Sequence, residues 1–162
     1  MNFAEIATRL QEDEALISNL KSKNVDAFTL TKIENALVRD TLVFVYTSYQ
    51  EKVKLAVINK IKYHSNNNKE IIRFVTYRTK KMDIRIAELK NMLRTINPNY
   101  YSKFESQLNS VSELNLYSSI LTDRVKAAHE QGSNLEMCTI TEIKNAHEQA
   151  KHILEKFEGS MW

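Results

Sequence analysis

The stretch Ile33–Ile61, IENALVRDTLVFVYTSYQEKVKLAVINKI, decides the fold. Its middle, TLVFVY at 41–46, is β-branched and aromatic, the composition of a strand. The flanks argue otherwise. Leu37, Phe44, Glu51 and Leu55 extend a helical repeat on both sides, and no glycine or proline breaks the run. Thr31 and Glu34 stand at capping-box spacing, which predicts a helix start between Thr29 and Thr31. A helix this apolar around its circumference belongs at the centre of a bundle.

The rest of the chain supports helices. Two glycines and one proline in 162 residues leave few breakers for a turn-rich β fold. The length and 43% hydrophobic content suit one folded domain. Residues 1–25 read as an N-terminal helix, with Phe3, Ile6, Leu10 and Ile17 near helical spacing, and 26–158 as the main bundle. HSNNNKE at 64–70 is a turn. Glu70 to Ile96 reads as one helix, basic on one side through Arg73, Arg78, Lys80, Lys81 and Arg85, and ended by Pro98. A short helix spans Tyr100 to Asn109, and a longer one runs from Ser112 to Gln131, stopped by Gly132. Thr139 with Glu142 opens a final helix whose apolar stripe is Ile143, Ala146, Ala150, Ile153, Leu154 and Phe157. The expected fold is an all-α, up-and-down bundle of about five helices.

Composition limits function. A net charge of +3 permits a polyanionic partner without demanding one. The single cysteine, Cys138, fits a reducing compartment, and the acidic N-terminal residues show no secretion signal, so a cytoplasmic location is expected. No run reaches the roughly 18 apolar residues of a membrane span. His147 and His152 are spaced five apart and do not make a zinc face, so no metal or other cofactor is expected. The absence of a phosphate-cradling glycine loop argues against a nucleoside triphosphatase.

The chemistry concentrates in LTDRVKAAHEQG, Leu121 to Gly132. On a helical wheel Leu114, Tyr117, Leu121, Val125 and Ala128 form the expected core stripe, and Asp123 is expected to face solvent. Arg124 and His129 fall on the two margins, about 140° apart. One helix does not unite them, but two copies related by a two-fold axis could place both pairs at one groove. There an imidazole, which titrates near neutrality, could move the proton of an RNA 2′-hydroxyl. A guanidinium could stabilise the phosphorane-like transition state.

LTDRVKAAHEQG followed by the capped helix TITEIKNAHEQAKHILEKFEG resembles the C-terminal half of the HEPN superfamily, in which an Arg, four to six residues and a His lie late in one helix. The helix Ile33–Ile61 is similar to the apolar helix of its RiboL-PSP type, where an acidic residue follows an aromatic run. The resemblance implies a metal-independent endoribonuclease acting as a homodimer, a toxin or phage-defence effector. Arg124 and His129 would be its catalytic pair and Glu51 the supporting acid. It also implies an antitoxin or nucleotidyltransferase partner. Lys126, between the signature residues, is a candidate for RNA phosphate contact, as are Arg78, Lys80 and Lys81. Val125 and Glu130 stand where members often carry a polar residue and a glycine. A catalytically inactive HEPN-like module that binds RNA or a protein partner is the alternative. For Glu51, a boundary residue between core and surface paired with Lys52 or Lys54 is the competing role.

Overall fold

The structure is a computed structural model that describes residues 3–79, 82–129 and 135–162. The described residues form seven helices and no strand: α1 (Phe3–Ser22), α2 (Ala27–His64), α3 (Lys69–Arg78), α4 (Ile86–Ile96), α5 (Pro98–Gln107), α6 (Val111–His129) and α7 (Ile140–Ser160).

TLVFVY is helical, as its flanks require. α2 runs unbroken for 38 residues, roughly 57 Å at 1.5 Å per residue. Val38, Thr41, Leu42, Val45, Ser48, Tyr49, Val53, Ala56 and Val57 are buried along it at helical spacing. The cap differs from expectation. Asp26 begins the helix by accepting from the Thr29 N–H at 3.0 Å, while Thr31 donates its hydroxyl to the Ala27 carbonyl inside the first turn. α2 packs against α1, α3, α6 and α7, and α7 also receives α1, α5 and α6. α2 and α7 are therefore the two elements on which most of the others close, with α4 packing against α5. The turns follow their residues: Asn24, Asn66 and Asn67 take positive φ, and Asn68 caps α3 by accepting from Glu70 and Ile71 N–H.

The final helix matches its pattern. Thr139 and Glu142 close a capping box, and Ile143, Ala146, Ala150, Ile153, Leu154 and Phe157 are all buried. Tyr49 of α2 and Tyr117 of α6 stack at the core with centroids 5.9 Å apart and planes 6° from parallel. Two polar contacts cross this interior, although the buried His147 Nε2 has no hydrogen-bond partner. The Tyr49 hydroxyl meets His147 Nδ1 at 2.9 Å, and the buried Asp13 carboxylate accepts from Thr41 and Arg9, tying α1 to α2.

Two expectations are corrected. The single basic helix over Glu70–Ile96 is instead α3 and α4, with a non-helical link over 82–85 before α4, and the described residues form seven helices where about five were expected. The link is held because other side chains take its carbonyls: Gln50 donates to Met82 O at 2.8 Å and Tyr117 to Ile84 O at 2.7 Å. Asp83 also accepts from the N–H of Arg85, the residue just before α4, which fixes the end of the link without capping the helix. The second correction concerns α6. Its buried residues include Tyr117, Ile120, Leu121 and Asp123, while Val125 is 46% exposed and Ala128 faces solvent. The buried face is thus rotated around the helix from the expected stripe. No helix is long and apolar enough to cross a membrane among the described residues.

Candidate functional site in the cleft between the second and sixth helices

The rotation of α6 decides where the signature residues go. Asp123 turns inward and is fully buried. Its two oxygens accept from Glu136 N at 3.0 Å and Met137 N at 2.7 Å, which fastens the segment leading into α7. The next residue, Arg124, then lies beside α2. Its guanidinium carbon sits 4.4 Å from the Tyr46 ring centroid, a cation–π contact. The Arg124 Nε is buried without a hydrogen-bond partner, and no carboxylate pairs with this arginine among the described residues.

Tyr46 is the hub of the site. Its hydroxyl accepts from Gln50 Nε2 at 3.0 Å, and the same amide fixes the Met82 carbonyl. That bond brings the 82–85 link to α2. Asp83 and Arg85 of the link form an ion pair, with Arg85 Nε 2.6 Å from Asp83 Oδ2. Burial raises the Tyr46 phenol pKa; the positive charges of Arg124 and Arg85 oppose that rise and Asp83 adds to it. The Asp83 carboxyl also feels burial, which raises it, but hydrogen bonds from Arg85 outweigh that and hold it below the usual carboxylate range. The phenol therefore stays protonated and the carboxylate ionised near neutrality. Beside this cluster opens a cleft of about 410 Å³, walled by Tyr46, Ile86, Leu121 and Val125 and edged by Asp83 and Arg85. Val125 is part of a cleft wall, not of the core.

The other sequence candidates separate. His129 is the last residue of α6; its side chain, Lys80 and Lys81 lie outside the described residues. Lys126 is 3.7 Å from Asp123 Oδ1, and its carbonyl accepts from Arg39 at 3.5 Å. Glu51 is half-exposed and pairs with Lys54 at 3.0 Å, the boundary role. It lies about 140° around α2 from Tyr46 at 100° per residue, away from Arg124. Arg78 is exposed at the end of α3. No group of histidine, cysteine and carboxylate residues able to hold a metal ion occurs among the described residues. His147 is a core residue, its pKa lowered to about 4 chiefly by burial.

Sequence reasoning missed Tyr46, Gln50 and Asp83. The i, i+4 spacing of Tyr46 and Gln50 on α2 carried a faint signal, since both face one neighbour. Asp83 carried none, because the expected helix hid the link. Compared with known proteins, the chain matches no family model, no curated protein and no solved structure.

Proposed function

We propose that this protein is a metal-independent endoribonuclease of the HEPN type, working as a two-fold homodimer in a toxin–antitoxin or phage-defence setting. Arg124 binds and stabilises the scissile phosphate. His129 takes the 2′-hydroxyl proton and returns one to the departing 5′-oxygen. The 2′-oxygen attacks phosphorus, the P–O5′ bond breaks, and the products are a 2′,3′-cyclic phosphate and a 5′-hydroxyl. One observation carries the reading: Arg124 is a half-buried, permanently charged fork held by an aromatic ring, with no carboxylate partner among the described residues. Arg124 is half-buried rather than enclosed, and a charge-assisted hydrogen bond from a guanidinium fork to phosphate is about twice as strong as a neutral one. Lys126, Arg78, Lys80 and Lys81 add sequence-independent attraction for the RNA backbone.

The arrangement on one chain supports the dimer requirement. Arg124 leans toward α2, and the His129 position is about 140° further around α6. The second residue must come from the partner copy.

The test is cleavage of single-stranded RNA in EDTA by wild type, Arg124→Ala and His129→Ala. Each substitution is expected to lower the rate by about 10²-fold or more, the usual worth of a general base or a transition-state charge. Equal cutting by all three proteins, or no cutting of any RNA tried, refutes the reading. A second reading is a non-catalytic helical module that binds RNA or a protein partner, such as an antitoxin or nucleotidyltransferase. It is favoured by the exposed row Ile71, Phe74 and Tyr77 on α3, an apolar face that an enzyme working only at the α2–α6 cleft does not need. A stable monomer in solution supports this second reading.

A further inference from the structure

We infer that the aromatic cluster around Lys60, near the C-terminal end of α2, is a docking platform for single-stranded RNA. Naming RNA as the polymer rests on the nuclease reading, but the platform uses none of the residues of the α2–α6 cleft.

The platform is built on a lysine that the fold leaves without an acceptor. Lys60 is only 5% exposed. Three rings surround its ammonium, with Nζ 4.2 Å from the Trp162 centroid, 5.1 Å from that of Tyr100 and 5.7 Å from that of Tyr63. Neither a carboxylate nor a hydrogen-bond acceptor pairs with it among the described residues. The ring faces attract the cation, but they do not take its three N–H donors as oxygens do. Nor is Nζ sealed off, since it is not among the enclosed polar atoms that lack a partner. A buried ammonium is ordinarily paired, so this one is matched to an anion that arrives from outside.

The outer rings supply the rest of the site. Trp162 and Tyr63 are 60% and 67% exposed. Their centroids lie 5.5 Å apart and their planes meet at 72°. A flat group stacked on one ring therefore touches the edge of the other and lies beside the lysine. His64 stands edge-on to Tyr63 and meets the Tyr100 hydroxyl at 3.3 Å, which ties the end of α2 to α5 and steadies the corner. Bases of single strands are held in this way, stacked on aromatic rings with cations placed for the backbone.

Charge favours nucleic acid over a protein partner here. Residues 52–69 hold five lysines and no acidic residue. Lys60, Lys62 and Lys69 make no ion pair among the described residues, and the last two are exposed. Along α2, Lys60 lies about 21 Å from Tyr46 at 1.5 Å per residue. That span is roughly six nucleotides at about 3.4 Å each, so a decamer is long enough to occupy the platform and the Arg124 cleft together.

Trp162 is the single tryptophan of the chain, so its fluorescence reports on the platform directly. The full chain is titrated with a 2′-O-methyl decaadenylate, which has no free 2′-hydroxyl and is not cleaved. A base stacked on the indole is expected to quench its emission, in step with the anisotropy of a labelled strand. Trp162→Ala and Tyr63→Ala are each expected to weaken binding about 5- to 150-fold, the worth of one stacked base. Lys60→Gln is expected to weaken binding and to lower the salt slope by about one. The two ring variants, both at exposed positions, keep the inference testable should Lys60→Gln unfold. Emission that stays constant while the strand saturates, or unchanged affinity in both ring variants, overturns the platform and leaves these rings to a protein partner or to packing over Lys60. Quenching by inorganic polyphosphate as strong as by the oligonucleotide also overturns it, because no base is then needed. Quenching in a protein that cuts no RNA in EDTA upholds the platform and removes the nuclease reading. Cleavage in EDTA without quenching does the reverse.

Discussion

Asp123→Ala is the substitution that most directly tests how this fold presents Arg124. The native carboxylate is fully buried and makes two charge-assisted hydrogen bonds, to Glu136 N at 3.0 Å and Met137 N at 2.7 Å. Such bonds contribute about 1.5–3 kcal/mol each, so removing both leaves two backbone donors unsatisfied at a cost of roughly 3–5 kcal/mol. Lys126, at 3.7 Å, adds little because it is partly solvated. A domain of this size has total stability of about 5–15 kcal/mol, so the loss is a large share. The assay is urea unfolding followed by circular dichroism, reading the midpoint at constant m-value. A fall in melting temperature of roughly 6–20 °C should accompany it. Asp123→Asn keeps one acceptor but turns an amide N–H₂ toward the other backbone donor, so it should fall between wild type and Ala. If Asp123→Ala unfolds within about 1 kcal/mol of wild type, the carboxylate is not the anchor of the 135–139 segment, and the inward rotation of α6 lacks its explanation.

Two further outcomes are expected. His147 is neutral in the folded protein, its pKa lowered to about 4 by burial, whereas in the unfolded chain it titrates near the ordinary 6.5. Its contribution to stability is therefore fully present above about pH 6.5 and is lost as pH falls toward about 4, where both states hold the proton. The slope approaches 1.4 kcal/mol per pH unit between those limits. The difference between wild-type and His147→Gln unfolding free energies across that window measures it, and a difference independent of pH contradicts the burial account. Tyr46→Ala removes the ring over which Arg124 is held and should weaken RNA binding roughly tenfold through loss of a partly desolvated cation–π contact. Tyr46→Phe, which keeps the ring, should stay near wild type in the same anisotropy titration; equal losses in the two would assign the effect to the hydroxyl and its Gln50 bond instead.

What was legible in the sequence was local. α2, the capped start of α7 and the buried stripe of α7 all depend on residues within one continuous segment, whose spacing repeats every 3.6 residues. The α3–α4 break was illegible because its cause lies elsewhere. Gln50 and Tyr117 claim the Met82 and Ile84 carbonyls from two other helices. The face of α6 was misread because a wheel scores Asp123 as polar and Val125 as apolar.

The amino-acid order by itself determined that this chain is helical and where most of its helices start and stop, since caps and periodicity act over a few residues. Only the tertiary structure decided which side of α6 is buried and hence that Arg124 meets Tyr46. A carboxylate goes inward where two distant backbone N–H groups satisfy it, and a valine stays out where the packing leaves a cleft.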